Sequence, residues 1–456
     1  MGNARFEDRI EYDFKQILTL IESRKIREAK EILKKQNEVD IAEFLESLAM
    51  DKLAAVFRML PKEEAAEVFA HLDIEQKEHI INSITDAEIT EIIEELFLDD
   101  TVDLMEELPS NVVKKVMQNV KKEKRDQINQ YLKYPEHSAG AIMTAEFIDL
   151  KRDVSVSDAI ERVRKLGADM ETIYTLFVVS ADRKLEGIVS LKQLIMAENS
   201  TFVSQIMDTN IISCKTQDDQ EDVAALFAKY DLLNMPVVDS EGRLVGICTV
   251  DDVIDVMQQE TTEDFAKMAA ITPINKPYDK TGVWEIVKAR SPWLLVLMVS
   301  ATFTHMIIES FESALEVVPV LYAAIPMLMD TAGNAGTQSS TTIVRAMSLN
   351  EVRLRDIFSI MWKEIRVAVY CGIILAVSNF GRMIFFTNAS MQVAFVVSAT
   401  LVLTVFIAKA VGSALPLLAE RVRLDPAVMS ATVVTTIADV LALIVYFNIA
   451  QMLLDI

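Results

Sequence analysis

From about Phe6 to Leu132, apolar positions recur three and four residues apart in short runs such as LPKEEAAEVFAHL, and this pattern predicts a string of short amphipathic helices. The runs restart at Leu60-Pro61, Leu72-Asp73, Ile84-Thr85, Leu98-Asp99, Leu108-Pro109 and Val120-Lys121, at intervals of 10 to 14 residues, and most open on Pro or a capping residue. One such unit cannot bury its own apolar face, so the units are expected to stack into a superhelix.

The period changes near Ser138. IMTAEFIDLKRDVSVSDAIERV followed by FVVSADRKLEGIVSLKQLI is echoed by IMDTNIISCKTQDDQEDVAALF followed by PVVDSEGRLVGICTVDDVI, an internal duplication that runs to Met257. Each copy predicts an apolar lead, an amphipathic helix, and two strands joined by a turn at Asp182-Arg183-Lys184 or Asp239-Ser240-Glu241-Gly242. A charged helix is then predicted from Asp251 to roughly Lys280, limited by Pro273 and Pro277.

Beyond Val283 the chain becomes apolar. After a short amphipathic stretch around Trp284, five spans are predicted: Trp293 to Ile308, Val317 to Ala346, Ile357 to Phe386, Val393 to Leu418 and Pro426 to Leu454. The fold class is thus a multidomain membrane protein. It has an all-α superhelix at 1–134, a duplicated α/β region at 135–257, a connecting helix at 251–282, and a five-helix transmembrane domain at 283–456. Arg345, Arg353, Arg355, Lys363 and Arg366 lie around the second connection and Arg421 and Arg423 in the fourth. The first has Glu309, Glu312 and Glu316 without a base, and the third has only Arg382. The positive-inside rule therefore places the N-terminus in the cytoplasm and the C-terminus outside. The start, MGNARFEDRIEYDF, lacks the features of a signal peptide and of a myristoylation site, in keeping with that expectation.

Charge sharpens the division. The chain has a formal net charge of -23, of which residues 1–282 carry -22 and residues 283–456 only -1. An acidic soluble part repels nucleic acid and attracts cations. Cys214, Cys248 and Cys371 form no C-x-x-C pair and read as packing residues in a reducing compartment. The four histidines make no H-E-x-x-H motif, and no nucleophile, base and orienter recur in one segment, so an enzyme is not expected.

Candidate chemistry concentrates in carboxylates. Asp439 is the single ionisable residue of the 29-residue stretch Pro426 to Leu454, 13 residues from its start and 15 from its end. An ionised carboxylate at mid-membrane costs about 2.5–3.5 kcal/mol on insertion scales, so it is either protonated and packed or meets a cation in a water-filled path. The second span, PMLMDTAGNAGTQSSTTIVRA, adds Asp330, and its Pro, glycines, Asn334 and Gln338 predict a broken, pore-lining helix. A nucleotide-binding glycine loop would need a preceding strand and a soluble setting. In the soluble part, Asp99, Asp100, Asp103, Glu106 and Glu107 cluster, either as a solvated helix face or as a cation site.

The duplication resembles a tandem CBS pair. Pro326, Asp330, Gly333, Asn334, Gly336 and Gln338, with DPAVMSATVVTTIAD from Asp425 to Asp439, resemble the two signature segments of the MgtE family of magnesium channels, and the order of parts matches over essentially the whole chain. The resemblance implies a homodimer in the bacterial cytoplasmic (inner) membrane, in contact with lipid and divalent cations and not with nucleic acid. Its pore would lie at the subunit interface, with Asp439 selecting Mg²⁺ and Asn334, the Ala427 backbone and Asp330 along the path. It also implies a Mg²⁺ sensor that holds the pore shut through a plug helix. The matching positions are Asp99 and Asp103, then Asp219, Glu221 and Asp231, then Asp252, Glu260, Glu263 and Asp264, with Asp425 near the gate. ATP at the CBS pair is left open. After Asp439 the family carries a glycine where this chain has Val440-Leu441-Ala442-Leu443 ahead of Tyr446-Phe447. Alternatives are a transporter of Mn²⁺, Co²⁺ or Ca²⁺, since an Asp ring alone does not choose among hard cations, and a CBS-containing membrane sensor that transports nothing.

Overall fold

A computed structural model describes residues 2–274, 276–278, 280–312, 317–349, 351–387, 390–429 and 431–454. Glu316 of the first connection and Ser430 of the last signature segment lie outside the described residues. The chain divides into two compact units, Met1–Val256 and Met257–Ile456.

The first unit opens with helices α1 (Gly2–Glu22), α2 (Ile26–Leu33), α3 (Glu38–Glu46), α4 (Met50–Phe57), α5 (Lys62–Ala70), α6 (Ile74–Ser83), α7 (Asp86–Glu95), α8 (Leu98–Glu107), α9 (Ser110–Asn119) and α10 (Lys122–Tyr131). Packing runs to the next helix but one, α3 on α5, α5 on α7, α7 on α9, and α4 on α6, which gives the expected stack. Leu45, Leu53, Phe69, Ile80, Ile89 and Val116 fill the seam between the layers. The helix starts follow the sequence: Pro61, Asp73, Thr85, Pro109 and Lys121 are the N-caps, and Thr85 forms a capping box with Glu88. At Leu98-Asp99 the expected start is two residues late. Phe97 is the N-cap, so Asp99 falls inside the first turn of α8 and is buried.

The duplicated region forms two three-stranded sheets of identical plan. In the first, β1 (Asp149–Leu150) pairs parallel with β2 (Thr175–Val179), which pairs antiparallel with β3 (Leu185–Ser190). In the second, β4 (Cys214–Lys215), β5 (Asn234–Val238) and β6 (Leu244–Thr249) repeat this order, with an irregularity at the equivalent step, Val178/Val179 and Val237/Val238. Between the strands lie α11 (Val156–Leu166), α12 (Leu191–Met196), α13 (Val203–Ile206) and α14 (Gln220–Tyr230). The two leads are exchanged between copies: Thr144 bridges to Ile247 and Asp208 to Ile188. The exchange needs glycine on the receiving strand. A Cβ on Gly246 would stand 2.6 Å from Met143 Sδ, and one on Gly187 2.7 Å from Met207 Sδ, the matching methionines of the two leads. Helix α15 (Val250–Met268) follows, ending well short of the expected Lys280; Ala270 takes a positive φ of 53° and terminates it before either proline is reached.

The second unit contains α16 (Val283–Ser310), α17 (Val320–Ser348), α18 (Ile357–Phe386), α19 (Met391–Arg421) and α20 (Ala431–Leu454). Helices α16, α18, α19 and α20 are long and apolar enough to cross a membrane. Three expectations change here. The Trp284 stretch and the first span are one helix of 28 residues that runs through Pro292. The last span begins at Ala431, since Pro426–Met429 form turns. The second span is not broken: α17 continues through Pro326, Gly333 and Gly336. Pro326 lies near the start of the helix and removes a single backbone bond. The glycines serve close approach instead, because a Cβ on Gly412 of α19 would lie 2.2 Å from Gly336 O, and one on Gly333 2.8 Å from Thr435 Cγ2 of α20. Beyond Asp439, Tyr446 Oη donates to Leu321 O at 2.9 Å and Phe447 stacks on Phe311 at 4.6 Å, which seats the aromatic pair of α20, whereas Val440 and Leu441, in the stretch without the family's glycine, line an apolar cleft beside α16.

Candidate functional site

Helix α8 presents a crowded set of carboxylates within the first unit. Burial, with the charges of Asp252, Asp100 and Glu171, holds the Asp99 carboxyl well above the usual range. Asp103 reaches solvent, yet the protein around its carboxyl and its neighbours Asp100, Glu106 and Glu107 push it up to about 7. Asp252, whose Oδ2 accepts from Thr249 Oγ1 at 2.6 Å, is raised by burial and Asp251 to about 6. The structure adds members that sequence reasoning missed. Glu171 is raised to about 8 by burial and by Asp251, Asp252, Asp100 and Glu146, and its buried Oε2 has no hydrogen-bond partner. Glu171 precedes β2 in an unpatterned loop, so only the fold brings it to Asp252. Lys77 of α6 faces the same acids, Glu107, Asp100 and Asp103, with burial lowering its own pKa.

The remaining first-unit candidates do not converge. Asp219 caps α14 by accepting from Glu221 N at 2.9 Å, whereas Asp231 ends that helix in the left-handed region at φ 51°. They are about 18 Å apart along the helix axis. All three of Asp219, Glu221 and Asp231 are exposed.

In the second unit the end of α15 meets the segment that leads into α20. Lys267 Nζ reaches Asp425 Oδ2 at 2.6 Å and also pairs with Glu263. Asp264 is raised to about 6 by burial and by Asp425, with Glu260 and Glu263 adding to it. Asp425 Oδ1 accepts from Ala427 N at 2.8 Å, so a cation would meet Ala427 through its carbonyl. The ammonium of Lys267, which sequence reasoning passed over, stands between two of the acids expected to bind metal. Among the described residues, no three His, Cys, Asp or Glu are arranged to hold a metal ion.

Mid-span, α17 carries Asp330, Asn334 and Gln338 at four-residue spacing, all exposed on one edge of that helix. Thr435 of α20 meets α17 through Thr337 at 3.3 Å, and Asp439 is one turn further along the same face, within electrostatic reach of Asp330. Asp439 is half-buried and its Oδ1 has no hydrogen-bond partner. Asp330, Asn334 and Gln338 also line a cleft of about 360 Å³ closed by Cys371 of α18 and Val405 and Lys409 of α19. Lys409 is buried, with Nζ 3.1 Å from Ser339 Oγ and 3.6 Å from Glu364 Oε2, and Ser339 Oγ donates to the same Glu364 oxygen at 2.6 Å. A charge deep inside an apolar run is the signal that flagged Asp439, and it would equally have flagged Lys409.

Comparison with known proteins gives these features a family. Residues 325–449 match the MgtE model, described as a divalent cation transporter; residues 36–137 match the MgtE intracellular N domain, and residues 139–200 and 203–259 match CBS domains. The chain is 36% identical to the magnesium transporter MgtE of Thermus thermophilus over 94% of this chain and 96% of that one. It is 29% identical to the magnesium transporter MgtE of Bacillus subtilis over 95% and 96%. A crystal structure of the soluble part of a magnesium transporter superposes with a TM-score of 0.53 at 29% identity, covering 55% of this chain and 99% of that one. The cytosolic domain of the Mg²⁺ channel MgtE in complex with ATP superposes with a TM-score of 0.51 at 33% identity, covering 53% and 99%. With a magnesium transporter matched over nearly its whole length, and the acidic helices, CBS pair and apolar helices in the same order, the chain belongs to the MgtE family of magnesium transporters.

Proposed function

We propose that this protein is a Mg²⁺-selective channel, formed by two copies in the bacterial cytoplasmic membrane, that admits Mg²⁺ and is closed by it. The observation that carries the reading is Asp439: a carboxylate near the middle of an apolar helix, with an oxygen lacking any hydrogen-bond partner and a second carboxylate, Asp330, close by. Such a group is costly in a membrane unless a cation or water answers it. Mg²⁺ gives up water reluctantly, so one Asp439 from each copy, with Asn334 and the Ala427 carbonyl along the path, suits a hydrated ion better than a tight cage. The basic residues of the second and fourth connections orient the N-terminus to the cytoplasm and the C-terminus outside.

The soluble acids supply the closing signal. Asp99, Asp103 and Asp252, joined by Glu171, crowd together with their carboxyl pKa values raised, a state that a divalent ion would relieve; Asp264, raised beside Asp425, with Glu260 and Glu263 near it, marks a second group in which Lys267 now stands. Binding at these groups biases a two-state element toward the closed form. Asp219, Glu221 and Asp231 are retained as an exposed outer set on α14. ATP at the CBS pair is supported by the related cytosolic domain crystallised with that nucleotide. The family description, divalent cation transporter, also covers Mn²⁺, Co²⁺ and Ca²⁺, and competition by these ions separates the two readings. The test is growth at low Mg²⁺ of cells lacking their own Mg²⁺ import: the intact protein rescues and Asp439→Ala does not. Equal rescue by both removes Asp439 from the path.

A further inference from the structure

We infer that Lys409, together with Glu364 and Ser339, is a positioning group that sets the height and rotation of α17 and thereby places Asn334 and Gln338 for the passing cation. The inference rests on the reading of α17 as a wall of the ion path.

The geometry begins with a charge where none is cheap. Lys409 is 6% exposed, 12 residues from the end of α19, about 18 Å into the helix. Glu364 lies seven residues after the start of α18 and Ser339 nine before the end of α17, about 10 and 14 Å from those helix ends. Three helices therefore deliver an ammonium, a carboxylate and a hydroxyl to similar depth, and the three close on one another at 2.6, 3.1 and 3.6 Å. Simple attachment of helices in a membrane is achieved by small residues alone, and α17 and α19 already touch in that way at Gly336 and Gly412. The polar knot lies three residues beyond that contact on α17 and three before it on α19. A close glycine contact leaves two helices free to pivot, and a directional hydrogen bond one turn away removes that freedom.

The residue fixed by the knot is not an arbitrary one. Ser339 directly follows Gln338, and Asn334 is one turn earlier, so any rotation of α17 about its axis moves both amides. Lys409 itself joins Asp330, Asn334 and Gln338 in lining the cleft, so its charge also bears on a cation that enters there. Its ammonium is tethered to Glu364 and Ser339, so its place in the cleft is set by the knot rather than by the cation.

The test uses the full-length protein in liposomes with an internal Mg²⁺ indicator. The variant Lys409→Met/Glu364→Gln removes both charges together and avoids stranding either one. Its half-saturating Mg²⁺ is expected to rise about fivefold, while the maximal rate per incorporated protein stays within about twofold of wild type. Ser339→Ala keeps the ion pair and is expected to shift half-saturation the same way by about twofold; it decides the matter if the double variant does not fold. A knot with a purely structural role would lower the yield or the maximal rate and leave half-saturation alone. Unchanged half-saturation in Ser339→Ala and in the double variant, with Asp439→Asn abolishing uptake, overturns this inference and leaves the ion path standing. Wild-type uptake by Asp439→Asn overturns both.

Discussion

Glu171→Gln should stabilise the first unit when divalent ions are absent and weaken its response to Mg²⁺. Glu171 is raised from 4.5 to about 8, first by burial and then by the charges of Asp251, Asp252, Asp100 and Glu146. At about 1.4 kcal/mol per pH unit, that shift sets a ceiling of about 5 kcal/mol. Glu171 is part-exposed, and solvent screening brings the figure to about 2 kcal/mol. The sign follows from linkage. A carboxyl whose pKa is higher folded than unfolded lends full stability below pH about 4.5 and loses it as pH climbs through about 8. In chelator, the wild-type first unit should therefore weaken from pH 6 to 8.5, and the neutral amide of the Glu171→Gln variant should flatten that slope. The three tryptophans, Trp284, Trp293 and Trp362, all lie in the second unit, so their emission is blind to this change. Hydrogen exchange of peptides covering Leu98–Glu107 and Thr175–Val179 is the suitable assay, with opening free energies about 2 kcal/mol higher in the variant at pH 8. Adding Mg²⁺ should protect wild type more than the variant. A variant no better protected than wild type in chelator at pH 8 would refute the crowding of these acids.

Three other outcomes follow from particular contacts. Lys267→Met removes the ammonium shared by Asp425 and Glu263; transport at low Mg²⁺ should rise roughly threefold, the worth of a part-exposed ion pair of about 0.6 kcal/mol, while high Mg²⁺ still closes the protein. Transport unchanged at low Mg²⁺ would mean that this pair does not restrain the connector. Gly412→Ala sets a methyl group 2.2 Å from Gly336 O and should cost about 2 kcal/mol, read as a lower melting temperature by emission from the three tryptophans; a wild-type melt contradicts the close approach. Tyr446→Phe deprives buried Leu321 O of its donor and should cost about 1 kcal/mol in the same assay, and no loss would argue that water replaces the hydroxyl.

The repeats were legible because they are periodic. The helix stack follows from apolar spacing and from Pro61, Asp73, Thr85 and Pro109 at their caps, and the two sheets follow from a duplication that preserves even the glycine opposite each methionine lead. Asp439 was legible because a lone charge in an apolar run has few explanations. What escaped the sequence was tertiary. Gly333 and Gly336 read equally as helix breakers or as close-packing residues, and only the positions of Thr435 and Gly412 decide for packing. Glu171 stands 72 residues from Asp99 and owes its role to the fold that brings the two together. Lys267 resembled any other basic residue on a charged helix until its reach to Asp425 was seen. Among the carboxylates inferred from the family pattern, Asp99 and Asp103 meet Asp252 in the first unit and Asp264 meets Asp425 in the second, whereas Asp219 and Asp231 mark opposite ends of α14.

The most direct test of a pore that passes Mg²⁺ and is shut by it is current through the full-length protein in excised membrane patches, with Mg²⁺ as the carried ion and the cytoplasmic face perfused. Current should be present when that face is bathed in chelator, fall away as Mg²⁺ there rises into the millimolar range, and be absent in Asp439→Asn under either condition. Current that persists unchanged as cytoplasmic Mg²⁺ rises, or that survives in Asp439→Asn, contradicts the account.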